Sequence, residues 1–287
     1  MAAPVTFLAV GSRGDVEPLA TLAGAVVASG RPATVVAVDE YADLVRGHGA
    51  EFRGLGIALH DMQRMSRGWL GQLAFRTPVA QPLLLRRWLA RLAEPVADAL
   101  ADVPAGTVVV TGVASRDAAL GLAEQRGVRV ATVLHTAALP TAQRESFLEG
   151  RRFWGRPRTD RAFSAWYWRQ VTGLSRATST VFRERHVLAR RSQRAEQAIW
   201  LAADPVLVPP APDWPDGVVQ TAAIRPPIDH SWTPPEPLAG FLAAGPSPVY
   251  VGLGSLNDAG GDEWRRLIVA AARQAGRRAL TPAPPGT

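Results

Sequence analysis

Val5-Thr6-Phe7-Leu8-Ala9-Val10-Gly11-Ser12-Arg13-Gly14-Asp15-Val16-Glu17-Pro18 decides the fold of this chain. Six apolar or β-branched residues form a short, uninterrupted run, the mark of a strand buried on both faces. Two glycines then allow a tight turn, and a helix is expected to start near Pro18. In open α/β sheets, ligands bind beyond the C-terminal ends of the strands. The first helix turn there offers unpaired N–H groups and a partial positive charge. An ionised Asp15 in that position can accept a proton from a substrate. It can equally close the helix N-terminus, and Ser12 has the same two readings. Arg13 reads as a solvated side chain or the partner of a nearby acid.

Working outward, the pattern repeats. Ala33–Val38, Phe52–Leu55, Val108–Thr111 and Val130–Leu134 read as further strands. Helical spacing covers Leu19–Ser29, Tyr41–Arg46, Pro82–Leu100 (with Pro95 as a kink or restart) and Asp117–Gln125. Strands separated by helices predict an α/β fold, a parallel sheet covered on both faces. Val206–Val208 and Val218–Thr221 are two more strand candidates. From Ala162 towards Trp200 the chain reads as helical. Between Ile224 and Pro237, Pro226, Pro227, Pro234, Pro235 and Pro237 predict a stiff, extended connector. A second strand–glycine–serine unit follows, Val249-Tyr250-Val251-Gly252-Leu253-Gly254-Ser255, then an amphipathic helix over Glu263–Gln274. Arg278-Ala279-Leu280 could begin another strand, which the closing prolines would stop.

The 287 residues are 47% hydrophobic, enough for a substantial core. No apolar run reaches the ~18 residues of a spanning helix, and the N-terminus lacks the features of a secretory peptide. With no cysteine, thiolate and disulfide chemistry are excluded, and a cytoplasmic location is the expectation. All 32 basic residues are arginine, and the net charge is +7. That usage reflects a compositional bias first; it would also suit anionic ligands such as nucleotide diphosphates or acidic lipid. The segment from Arg144 to Trp200 concentrates arginine with Phe153, Trp154, Trp166, Tyr167 and Trp168. Its spacing fits a helix with an aromatic inner face and solvated arginines. Weak contact with a membrane surface and an apolar acceptor pocket are the other readings, while nucleic acid is not expected as a partner.

Other chemistries find less support. A dinucleotide fingerprint needs three glycines, and only Gly11 and Gly14 are present, although Asp39 falls where a ribose-binding acid would stand. A lysine-bearing phosphate loop and a GxSxG nucleophile elbow are absent. His48, His60, His135, His186 and His230 show no metal-ligand spacing, so no metal is expected. His135 closes a predicted strand and so faces the potential cleft; a hydrogen-bonded rim histidine is the bland alternative.

The stretch Gly11–Pro18 resembles the N-terminal signature of bacterial glycosyltransferases related to sterol glucosyltransferases and to those that decorate glycopeptide and macrolide antibiotics. The resemblance continues through Val35–Arg53, Leu201–Pro205 and Pro248–Ser255. It implies a two-lobed GT-B fold. Residues 1–224 would be the Rossmann-like acceptor-binding domain, 225–237 the linker, and 238–287 the start of a nucleotide-sugar-binding domain. It also implies an inverting, metal-independent reaction without a cofactor, using a nucleotide-diphosphate sugar as co-substrate. Asp15 would be the general base. Ser12, Arg13, Gly14 and His135 would shape the acceptor site, and Gly254 and Ser255 would meet the donor diphosphate.

The family's histidine- and glycine-rich donor motif does not appear after Ser255. The stretch from Pro237 to Thr287 is also well short of the ~100 residues a full domain needs. A C-terminally truncated transferase, inactive alone, is the expectation. The alternative is a non-catalytic acceptor-binding or helper module related to such enzymes. A nicotinamide oxidoreductase is a weaker third reading.

Overall fold

A computed structural model describes residues 3–57, 80–188, 198–228, 230–252 and 257–282. Seven strands form one parallel sheet: β1 (Val5–Leu8), β2 (Ala33–Ala37), β3 (Glu51–Gly54), β4 (Val108–Thr111), β5 (Arg129–Leu134), β6 (Ala198–Ala202) and β7 (Val218–Thr221). Their order is β3-β2-β1-β4-β5-β6-β7, which puts β1 at the centre between β2 and β4. Every residue of β1 is buried. That is why its sequence is continuously apolar or β-branched instead of alternating. The edge strand β3 is half exposed and correspondingly mixed in sequence, Glu-Phe-Arg-Gly.

The helices are α1 (Arg13–Ala28), α2 (Ala42–Gly47), α3 (Ala80–Arg91), α4 (Ala93–Ala101), α5 (Arg116–Arg126), α6 (Pro157–Leu174) and α7 (Arg176–Arg185). Helix α1 turns Val16, Leu19, Ala20 and Ala23 inward, an i, i+3, i+4, i+7 stripe over the sheet. The core they close includes Phe7, Leu8, Val35, Val36, Leu100, Val109 and Phe182. A second, two-stranded parallel sheet joins β8 (Val249–Tyr250) to β9 (Ala279–Leu280). It is accompanied by α8 (Glu236–Ala243) and α9 (Asn257–Gln274).

Three local expectations are corrected. Helix α1 begins at Arg13, not near Pro18, because Ser12 caps it; Pro18 lies inside the helix. Val206–Val208 is a turn, not a strand. Asp204 accepts the Val206 N–H at 2.9 Å and arrests the chain there, leaving Val206 88% exposed. The helix expected from Ala162 towards Trp200 ends by Arg185, and Ala198–Ala202 is instead strand β6. Leu92 separates α3 from α4, so Pro95 sits in the first turn of a restarted helix, where its missing N–H costs nothing.

Candidate active site at the edge of the central strand

Parallel strands align their C-terminal ends on one edge, and β1, β4 and β5 are consecutive there. The Ser115 hydroxyl donates to the Leu8 carbonyl at 2.9 Å and bonds Thr111 Oγ1 at 2.9 Å. The end of β1 is thereby tied to the end of β4 in a fully buried setting.

Beyond Leu8 the chain turns at Gly11, which adopts φ +150°. A Cβ on Gly11 would lie 2.2 Å from Asp15 Oδ2. Glycine is therefore required twice, by conformation and by the carboxylate packed over it. Ser12 is the N-cap of α1 and Asp15 its third residue. Asp15 Oδ2 accepts the Ser12 N–H at 2.8 Å and the Ser12 hydroxyl at 3.1 Å. The first bond satisfies a backbone donor at the helix start, and the second holds the same oxygen in place. Both bonds fall on Oδ2, so among the described residues Oδ1 stays open for another donor. Arg13 is exposed and forms a two-pronged pair with Glu17 at 2.8 and 2.9 Å. Gly14 is exposed and in helical conformation, and a Cβ there would come no closer than 3.9 Å to Ser12 Oγ.

A cavity of about 320 Å³ opens over this turn. Its polar wall is Gly11, Ser12 and Asp15; its other walls are apolar. Leu85, Trp88 and Leu89 come from α3, Val171 and Leu174 from α6, and Val113 and Ala114 from the loop after β4. Among the described residues, Arg13, Gly14 and His135 do not line it. The apolar wall went unnoticed in the sequence. Leu85, Trp88 and Leu89 stand at i, i+3, i+4, and Val171 and Leu174 at i, i+3. That spacing marks a helix face without saying that it covers a cavity instead of core.

His135 directly follows β5 and is half-buried. Its Nε2 is buried and meets no hydrogen-bond partner among the described residues. Burial pushes the imidazole below its ordinary pKa, while the Asp15 carboxylate pulls the other way. The two side chains thus share one electrostatic environment despite coming from strands that are not neighbours. Asp39 has a different part. Its Oδ1 accepts the Gly56 N–H at 3.2 Å and sits where a Cβ on Gly54 would fall, so it fastens the loop after β2 to the end of β3. Gly254 and Ser255 lie outside the described residues.

The chain matches no protein-family model. It is 30% identical over 280 residues to a dTDP-epi-vancosaminyltransferase of Amycolatopsis orientalis, spanning 93% of this chain and 62% of that protein. A vancomycin aglycone glucosyltransferase of the same organism is 46% identical over 81 residues, 28% of this chain and 19% of the relative. A sterol 3-beta-glucosyltransferase of Cryptococcus neoformans is 25% identical over 310 residues, covering 95% of this chain and 18% of its own length. The chain therefore spans about three fifths of the vancosaminyltransferase and about a fifth of the other two. Among solved structures, the calicheamicin glycosyltransferase CalG4 superposes with a TM-score of 0.55 at 18% identity, over 98% of this chain and 66% of that one. The Streptomyces sp. SF2575 glycosyltransferase SsfS6, complexed with thymidine diphosphate, gives 0.57 at 14% identity, over 100% of this chain and 70% of that one. The fold is that of the GT-B glycosyltransferases, and the sequence is related to antibiotic and sterol glycosyltransferases.

Proposed function

We propose that this chain, a GT-B-fold relative of the antibiotic and sterol glycosyltransferases, serves transfer of a sugar from a nucleotide-diphosphate donor to a hydroxyl of an apolar natural-product or sterol-like acceptor. One observation carries the reading: an apolar cavity whose polar wall is a helix-capping carboxylate with one oxygen unbonded among the described residues. An apolar acceptor enters against Trp88, Leu89 and Leu174 and brings its hydroxyl to Asp15 Oδ1. Asp15 takes the proton as the acceptor oxygen attacks the anomeric carbon. The new C–O bond forms as the bond to the donor diphosphate breaks, and the diphosphate leaves with the electron pair. Attack from the opposite face inverts the anomeric centre. The acceptor hydroxyl must be aligned with Oδ1 and the anomeric carbon at once, so positioning contributes alongside proton transfer.

Ser12 holds Asp15 in place, and His135, placed on the acceptor side by the resemblance, acts there only through the field it shares with the Asp15 carboxylate. Arg13 and Gly14 shape the outer rim. Gly254 and Ser255 meet the donor diphosphate, as the resemblance implies. No metal and no cofactor take part in this reading, as the resemblance to inverting transferases implies. In this reading residues 1–224 are the acceptor lobe, 225–237 the linker and 238–287 the donor side. On the donor side, Tyr250 is 65% and Leu267 55% exposed. The second reading, a non-catalytic acceptor-binding or helper module, keeps the cavity and drops the chemistry.

Two measurements test this. Calorimetry with vancomycin aglycone and with a sterol should show binding that weakens in Trp88→Ala. Product analysis with a dTDP-sugar should show that Asp15→Asn lowers any transfer by ~10²–10⁴-fold while leaving acceptor binding intact. Acceptor binding unchanged by Trp88→Ala would remove the cavity from the mechanism. Full transfer by Asp15→Asn would remove the base.

A further inference from the structure

We propose that the face around the start of α6 docks on an anionic membrane surface. The proposal stands apart from the catalytic reading and rests on a different part of the molecule. Trp154, Phe163 and Trp166 form one aromatic ladder, Trp154 edge-on to Phe163 at 5.6 Å and Phe163 stacked on Trp166 at 5.9 Å. Beneath it Phe147 and Phe153 are buried and stacked at 5.2 Å, which anchors the ladder in the fold. The outer members remain in solvent: Trp154 is 61% exposed, Trp166 49% and neighbouring Leu148 56%. Large apolar rings held outward by a rigid base mark an interaction surface more than a packing remnant.

Charge selects the partner. Residues 150–169 hold six arginines and one carboxylate, a local balance of +5 in a chain of net +7. That carboxylate, Asp160, is buried and accepts the Trp154 N–H at 2.8 Å, so it is spent on the fold. Arg152 pairs with Glu149 and Arg161 with Asp213, whereas Arg151, Arg156 and Arg158 are exposed beside the ladder. Tryptophan with arginine, free of exposed carboxylates along this stretch, suits the interface of an anionic bilayer. The rings settle at headgroup depth and the guanidinium groups meet lipid phosphates and carboxylates. Single-stranded nucleic acid fits less well, because Phe163 and Trp166 spend their π-faces on each other and a base needs a free face. No helix among the described residues is long and apolar enough to cross a membrane, so the contact would be peripheral.

Sedimentation with large vesicles tests the idea on the whole chain. Phosphatidylcholine vesicles containing phosphatidylserine should bring down the protein at low salt, and phosphatidylcholine alone should not. Added salt should release it. Arg156→Glu with Arg158→Glu, both exposed, should weaken partitioning by about tenfold or more. Trp154→Ser with Trp166→Ser should do the same, with circular dichroism confirming that each variant folds. The charge variant alone decides the matter if the tryptophan variant does not fold. No binding to anionic vesicles would overturn the proposal. Binding indifferent to the charge variant, or retention on a single-stranded oligonucleotide in place of vesicles, would overturn it equally.

Discussion

Asp15 spends one of its two oxygens on the fold. Oδ2 closes the helix through Ser12, and among the described residues Oδ1 takes no hydrogen bond. The cap reading of the sequence therefore holds without excluding the proposed base. The glycines around it separate cleanly. Gly11→Ala meets both the φ of +150° and an Oδ2 atom 2.2 Å from the new Cβ. It should destabilise the fold by about 1–3 kcal/mol and displace Asp15. Gly14→Ala, in open helical space, should gain about 0.4–1 kcal/mol. Paired thermal melts check this, and equal losses would contradict the assigned turn.

His135 makes a pH prediction. Its folded pKa is depressed, so the unfolded chain binds more protons over the interval between the folded value and the ordinary ~6.5. Stability should therefore fall as pH drops through that interval, with no contribution from His135 above it. His135→Gln should flatten this part of a Tm-against-pH curve. In Asp15→Asn the imidazole should titrate lower still, because the carboxylate that opposes the shift is gone; NMR titration reads this directly.

Among the elements, α7 is the keystone, packed against α4 and α5. Its Arg183 is buried and donates to Asp117 at 2.8 Å and to Glu124 at 3.3 Å, while Ser179 donates to Asp117 at 2.5 Å. Removing one member of a buried pair strands the other's charge. Arg183→Met should cost about 3–5 kcal/mol in urea unfolding, and adding Asp117→Leu should recover much of it. A single-variant loss below about 1 kcal/mol would mean that water reaches the pair.

The loops depend on a similar clasp. Burial opposes ionisation of Asp213, but hydrogen bonds from the Thr141 hydroxyl, the Ala142 N–H and Arg161 outweigh it and hold the carboxyl below its usual range. The element that sequence reading missed, β6, shows why. Ala198-Ile-Trp-Leu-Ala has one β-branched residue and follows a helical stretch, so its strand identity comes from pairing with β5 and β7. Val206–Val208 made the opposite error possible: the residues favour a strand, but Asp204 bends the backbone away from any partner.

At the scale of the molecule, the seven-stranded sheet and the small β8–β9 sheet are joined by a proline-rich stretch. Residues 222–228 and 230–235 contain no strand or helix. Trp232 there is 62% exposed, so chymotrypsin should cut after it before reaching Trp168 or Trp200 in regular structure. First cleavage within the sheet would argue against a linker at this point. The sequence alone determined the parallel α/β architecture and the carboxylate at the end of the first strand. Both are written in contiguous residues: apolar runs buried on two faces, a glycine turn, a capping serine. Only the tertiary structure decided that Trp88 and Leu174 share a cavity with Asp15 and that His135 lies in the same electrostatic field. Those facts follow from α3 and α6 meeting over the end of β1, and from β1 pairing with β4, about a hundred residues away in sequence, which no local pattern encodes.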